Sequence, residues 1–250
     1  MSKLLQVLFM IFCAAGIAKD YTPAEIKALL AAAEKGEALA QYEYGVAHYH
    51  VAAGGGGYVI QVGLNGGPPN PVEAAKWFLK AAAQGHADAC YEAATMYDNG
   101  VGLIVSGIEA EKWMKEYAKN KASENGRVEY IMASFYAKDR PDLPKDEKIS
   151  VAWYRKAAVL SSGPGPDDSR WIEASRHALG AYYFDPKSAS PRNPAESYAW
   201  WSVAAASGDS HAAVKRDEVE KHLSPEQVKM GRDLARRIME EIGSSKKSAK

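Results

Sequence analysis

The chain has 250 residues, of which 47% are hydrophobic and 25% are charged, a composition typical of globular proteins. Lys and Arg together number 31, as do Asp and Glu, so the formal net charge is zero. Because nucleic-acid binding requires an excess of positive charge against the phosphates, this balance excludes nucleic acid as an expected partner.

The N-terminal segment, residues 1–18, is predicted to be a signal peptide. Lys3 supplies a positive charge, an almost wholly apolar run extends from Leu4 to Ile17, and small residues at its end suit cleavage. The run is shorter than the roughly 20 apolar residues that span a bilayer. We therefore expect an exported chain, periplasmic or extracellular, with no membrane span after cleavage. An uncleaved anchor is the alternative.

The two cysteines are Cys13 and Cys90. Cys13 lies in the segment predicted to be removed, and the bulky Phe12 before it disfavours lipid attachment there. One remaining cysteine cannot form an internal disulfide, so packing alone must hold the fold together. Cys90 lies in an apolar-periodic helix and is predicted to be a small buried residue.

Four tryptophans mark an internal repeat. A small residue stands three positions before each of them, a large residue follows at once, and alanine stands five positions later. These offsets fall on one stripe of an α-helix, on which small residues allow a neighbouring helix to approach closely. We predict that the tryptophans are the structural anchors of equivalent helices: Trp77, Trp113, Trp153 and Trp200.

Helix starts are predicted seven positions before each tryptophan, where a preferred N-cap residue stands: Asn70, Ser106, Asp146 and Asn193. Ser106 with Glu109 predicts a capping box. Similar signals open a first helix at Thr22, running to about Lys35, and a last amphipathic helix at Ser224, running to about Ile242.

A second type of helix precedes each tryptophan helix. It carries a small residue, here named the crossing position, where the partner helix is expected to pass: Gly45, Ala94, Ala133 and Gly180. Each antiparallel pair must stack on its neighbours to bury its apolar face. The predicted fold class is therefore all-α, an α/α solenoid of about four to five stacked antiparallel helix pairs with capping helices over 19–242. A disordered tail is predicted over 243–250.

Insertions account for the uneven spacing of the repeats. The longest, 53–69, contains four consecutive glycines, and shorter ones occupy 162–168 and 185–192. In repeat proteins such insertions emerge as loops on one face, often the binding face.

Segment 73–89 carries the pattern Ala-x-x-Trp-(Phe/Tyr)-x-x-Ala-Ala, and segment 151–158 carries its Trp-Tyr-x-x-Ala-Ala part. With Ala-x-x-x-Leu-Gly-x-x-Tyr in the preceding helix, it resembles the Sel-one-like repeat, a relative of the tetratricopeptide repeat. The resemblance covers roughly residues 24–242 and implies a right-handed superhelix that acts as an adaptor or scaffold. Exported members of the family work in bacterial envelope assembly, signalling or host contact. A cysteine-rich branch is linked to β-lactam binding or hydrolysis, but its regularly spaced cysteine pairs are missing from the mature chain.

A candidate binding surface lies three residues before the crossing positions, where rings recur: Tyr42, Tyr91, Tyr130 and His177. We name these four residues the ring ladder. In the related tetratricopeptide architecture, this first helix of each pair lines the concave surface. Tyrosine suits recognition because it offers a large contact area and a polar tip at little entropic cost. The alternative is that the rings pack between repeats as core.

Catalytic, metal and cofactor sites are not predicted. His48 and His50 lie two apart on a predicted helix, so they point to different sides. Metal motifs such as His-Glu-x-x-His and the nucleophile motif Gly-x-Ser-x-Gly do not occur. The expected partner is thus a protein or peptide. Two alternatives remain, an envelope enzyme of β-lactam or peptidoglycan chemistry with its site in 53–69, and a regulator that binds a ligand in the concave groove.

Overall fold

A computed structural model describes residues 22–48, 51–53, 59–61, 70–121, 126–160, 169–184 and 193–248. The predicted signal peptide, most of the glycine-rich insertion and the two shorter insertions lie outside these residues.

Helices dominate the described chain, and they confirm the predicted fold class of paired helices. Eleven are described: α1 (Pro23–Glu34), α2 (Ala38–His48), α3 (Pro71–Ala83), α4 (Ala87–Asn99), α5 (Gly107–Asn120), α6 (Arg127–Tyr136), α7 (Glu147–Ala158), α8 (Arg170–Phe184), α9 (Pro194–Ala206), α10 (Ser210–Glu220) and α11 (Pro225–Ser248). None of these helices is long and apolar enough to cross a membrane.

Two short strands interrupt the helices between α2 and α3. The strands β1 (Val51–Ala53) and β2 (Val59–Gln61) pair antiparallel, with Val51 opposite Gln61. The sequence indicated only a flexible insertion here, because three-residue strands are too short for a recognisable alternation of apolar and polar residues. The all-α class therefore carries one small hairpin.

The four predicted N-caps are confirmed. In each, a side-chain oxygen accepts the backbone N–H three residues later, which satisfies one of the donors that a helix start leaves free. The acceptor residues are Asn70, Ser106, Asp146 and Asn193, at 3.1, 3.2, 2.9 and 3.3 Å.

The capping box predicted at Ser106 forms only in part. The Ser106 backbone N–H donates to the Tyr97 carbonyl at 3.1 Å, so the donor that Glu109 would satisfy is already used. The Glu109 carboxylate pairs with Lys112 at 3.2 Å instead. Complete boxes form at the two terminal helices, between Thr22 and Glu25 and between Ser224 and Gln227.

The last helix is longer than predicted. The sequence placed its end near Ile242, where the apolar positions stop, and a disordered tail after it. In the structure α11 continues to Ser248. The residues after Ile242 include no proline, and Gly243 lowers the helix preference at this point without ending the helix.

The described residues form two compact units, and unit 1 is the described part of 1–121 together with 140–143. Within unit 1, α1 packs on α2, α2 on α3, α3 on α4, and α4 on α5. Two apolar clusters join helices α1 to α4. One joins α1 and α2 to Trp77, and the other surrounds Phe78 and Met96.

Two carboxylates, those of Asp98 and Asp142, join the segment 140–143 to the helices of unit 1. The Arg140 guanidinium, almost wholly buried, forms a two-pronged ion pair with Asp98 at 2.5 and 3.2 Å. The Asp142 carboxylate accepts a hydrogen bond from the Ser106 hydroxyl at 2.7 Å, beside the start of α5. Carboxylates are stabilised at a helix N-terminus, where the backbone N–H groups are free.

Unit 2 comprises 122–139 and 144–250. Its helices also pack in chain order from α6 to α9, and α9 then contacts both α10 and α11. The core centres on Trp200, Leu179 and Ile238, with a second cluster around Trp201. These core residues are buried.

Cys90 of unit 1 is also buried, as predicted from the sequence.

The tryptophan anchors differ in burial, although they occupy equivalent positions in the sequence repeat. Trp77 and Trp200 are buried, with 4% and 2% of their surface exposed, because α1 and α11 supply apolar side chains over them. Trp113 and Trp153 are only half-buried. Lysine ammonium groups lie over these two rings, at 5.1 Å for Lys112 and 4.0 Å for Lys156, as Lys80 also does over Trp77 at 3.8 Å.

Candidate functional site: the ring ladder

The ring ladder begins in unit 1 with two tyrosines. The Tyr42 ring of α2 stacks on the His86 imidazole, with 4.6 Å between centroids, and lies 5.8 Å from Phe78. The Tyr91 ring of α4 lies 5.4 Å from Tyr117 of α5. Both ladder residues are half-buried, so each ring packs on one side and keeps part of its area in solvent.

His86, which supports Tyr42, also caps α4. Its Nδ1 accepts the Ala89 backbone N–H at 3.3 Å, a role that requires an unprotonated nitrogen. Burial lowers the pKa of His86, and Lys121 lowers it further, against the opposing effect of Asp88. A neutral imidazole at physiological pH is therefore consistent with both roles.

The ladder residues of unit 2 have the same half-buried setting. The Tyr130 ring of α6 lies 5.0 Å from Trp171 and 5.7 Å from Tyr154. The His177 ring of α8 lies 5.1 Å from Trp201. In both units, then, each ladder ring packs against another aromatic ring and is half-buried.

A cluster of possible ligands for a metal ion accompanies the last ladder residue, and the sequence did not predict it. His177, Asp209 and His211 bring their ligating atoms within 4.8 Å of one another. His177 Nε2 contacts the Asp209 carboxylate directly. The available signal was the substitution of histidine for tyrosine at this ladder position, together with Asp-Ser-His after α9.

A cavity of about 370 Å³ lies between α7, α9 and α11 in unit 2. Arg155, Lys156, Glu196 and Trp200 are among the residues that line it. The indole N–H of Trp200 is buried and has no hydrogen-bond partner among the described residues. In the equivalent helix α3, the Trp77 indole donates to a glutamate at 2.7 Å. The corresponding Glu196 is instead paired with Arg155.

Thiol chemistry is disfavoured at Cys90. Its side chain is fully buried, and the thiol donates to the Ala82 carbonyl with 3.7 Å between sulfur and oxygen. Burial raises the pKa of the Cys90 thiol to about 11, so almost none of the nucleophilic thiolate is present at neutral pH.

Together, the antiparallel helix pairs and the recurring ring position define a tetratricopeptide-like helical repeat protein. Four Sel1 repeats match the chain at 38–86, 87–120, 128–160 and 174–209, together more than half of its length. The chain therefore belongs to the Sel1 repeat family. Proteins with Sel1 repeats are protein-interaction scaffolds and are typically not catalytic.

Two solved structures are similar to this chain. A Sel1 repeat protein from Oxalobacter formigenes is 25% identical, with a TM-score of 0.51, over 76% of this chain and 66% of that one. A protective antigen of uropathogenic Escherichia coli strains with an SLR fold is 21% identical, with a TM-score of 0.42, over 95% of this chain and 53% of the antigen. This chain thus spans less than two thirds of either protein. No curated protein matches it.

Proposed function

We propose that the protein is an exported, non-enzymatic scaffold that binds a partner protein or peptide through its ring ladder. The observation that carries this proposal is the setting of the ladder: the same position in four first helices holds a half-buried ring supported by a second ring. Membership of a family of interaction scaffolds supports the same function.

The geometry favours recognition for a physical reason. Binding costs free energy when flexible side chains become ordered, and a ring already fixed by stacking incurs less of that cost. The Tyr42 ring stacks on His86 at 4.6 Å, and the Tyr130 ring packs at a tilt against Trp171 at 5.0 Å, so both rings are fixed in advance. Their exposed parts can then contact apolar groups and donate or accept hydrogen bonds through the phenol.

To test the ladder, we would combine Tyr91→Ala and Tyr130→Ala and measure capture of proteins from an envelope extract. Loss of one aromatic hot spot costs about 2 kcal/mol or more, which corresponds to a loss of tenfold or more in affinity. We expect proteins retained by the wild type to be lost by the double variant. The matched control combines Tyr97→Ala and Tyr182→Ala, two half-buried tyrosines outside the ladder, and should retain them.

Circular dichroism of the same variants separates recognition from packing. If the ladder is a binding surface, helix content and melting temperature should remain nearly those of the wild type. A double variant that melts many degrees lower would show that the rings are core. Undiminished capture would show that partners bind elsewhere.

Export is the second part of the proposal, and it is supported by the positive charge, apolar run and small residues of the N-terminal segment. We expect cell fractionation to place the protein outside the cytoplasm, with an N-terminus near residue 19 by mass spectrometry. Recovery from the cytosol of a chain that still begins at Met1 would disprove export.

A further inference from the structure

We propose that His177, Asp209 and His211 of unit 2 form a binding site for a zinc ion or a similar transition-metal ion. All three offer ligating atoms within 4.8 Å of one another. Two imidazoles and one carboxylate are a donor set typical of zinc sites that keep a fourth position open. His177 also belongs to the ring ladder, but this inference goes beyond the proposed partner binding and does not rest on it.

The fold places the three ligands from two directions. His177 projects from α8, while Asp209 and His211 lie at the start of α10. Asp209 is the N-cap, and one of its carboxylate oxygens accepts the Ala212 backbone N–H at 3.0 Å. The other oxygen contacts His177 Nε2. Because the cap fixes the carboxylate, a metal ion would meet an oriented ligand.

The charges of the site also suit a cation. Asp209 contributes a carboxylate, an oxygen donor that metal cations bind readily, and its two oxygens lie against the Ala212 backbone N–H and His177 Nε2. A metal at His177 Nε2 uses the nitrogen lone pair, so the imidazole proton then resides on Nδ1.

In the first repeat, the positions equivalent to His177, Asp209 and His211 have other roles. Tyr42 stands in place of His177, His86 in place of Asp209, and Asp88 in place of His211. His86 Nδ1 is used by the Ala89 backbone, and the Asp88 carboxylate pairs with Lys121 at 3.0 Å. The replacements in the last repeat therefore supply three metal ligands at positions that otherwise serve stacking, capping and a surface ion pair.

The access and surroundings of the site fit a bound ion. His211 is exposed, which gives the ion a path and leaves water to fill the fourth position. Trp201 packs against both imidazoles, with centroids 5.1 Å from His177 and 6.2 Å from His211. A bound paramagnetic ion such as Cu²⁺ at this site would therefore quench tryptophan fluorescence.

The test is zinc binding by the full chain without an affinity tag, measured by competition with a chromophoric chelator. We expect His211→Ala and Asp209→Asn each to weaken binding by at least about tenfold, since even outer-shell changes cost about 10–100-fold. Asn retains an oxygen that can cap α10, and His211 is exposed, so both variants should fold. Melting of the metal-free proteins checks this.

The matched control is His222→Ala, which removes another exposed histidine of unit 2 and should leave zinc affinity unchanged. Cu²⁺ should quench wild-type fluorescence, and His211→Ala should reduce the quenching. Zinc affinity that is the same in the wild type, His211→Ala and Asp209→Asn would overturn the proposal, as would a wild type that does not compete with the chelator.

Discussion

Trp200→Ala is expected to destabilise unit 2 by about 3–5 kcal/mol, the usual cost of truncating a large buried aromatic side chain. Only 2% of the Trp200 surface is exposed, and its ring packs with Leu179 of α8 and Ile238 of α11. Truncation would therefore loosen contacts among three helices at once. Because the indole N–H is buried without a partner among the described residues, its removal offsets a small part of this cost.

The free energy of unfolding is measured by denaturant titration, with the dependence of that free energy on denaturant concentration held the same for all variants. Two variants serve as controls. Trp113→Ala removes an anchor of the same register that is half-buried, so we expect a clearly smaller shift of the midpoint. Trp200→Phe keeps most of the apolar ring and removes the unpaired N–H, so it should also cost less than Trp200→Ala. Equal shifts for Trp113→Ala and Trp200→Ala would contradict the difference in burial.

Sequence reasoning predicted the helix pairs well because their signals are local. The caps at Asn70 and Asn193 and the alanines after the tryptophans depend on neighbours three or four residues away, which the printed sequence shows directly. The crossing positions could also be predicted, since a close approach of two helices requires a small residue on one of them.

The features that were missed depend on tertiary surroundings. Trp77 and Trp113 occupy the same register, yet only Trp77 is covered by a terminal helix, which no local pattern reveals. The metal-ligand cluster joins residues 32 positions apart across two helices, His177 and Asp209, so motif searches over short spacings cannot find it. The positions of the ring ladder could be predicted from the sequence. The half-buried setting of its rings could not be predicted, because it depends on neighbouring helices.

The crossing positions also explain why two repeats need glycine. The two glycines, Gly45 and Gly180, lie directly against large aromatic rings, those of Phe78 and Trp201. A Cβ at Gly180 would lie 2.5 Å from a Trp201 ring carbon, well inside contact distance. The Gly180 carbonyl also accepts the Ser197 hydroxyl at 2.7 Å, which holds α8 and α9 together at this point.

Gly180→Ala is therefore expected to destabilise unit 2, although alanine is the better helix former. Alanine gains about 0.5–1 kcal/mol of intrinsic helix stability over glycine. Overpacking a filled core typically costs about 1–3 kcal/mol, and the buried Trp201 ring has little room to move. We expect the steric cost to exceed the intrinsic gain, so that denaturant unfolding shows a net loss of about 1–2 kcal/mol.

The matched control is Gly243→Ala in α11, where the added methyl group would meet no atom within 4 Å among the described residues. The same substitution should there stabilise the protein, by up to about 1 kcal/mol, because only the helix preference remains. Opposite signs at the two glycines would isolate the contact between Gly180 and Trp201 as the cause. A neutral or stabilising Gly180→Ala would mean that α8 and α9 are farther apart than the structure places them.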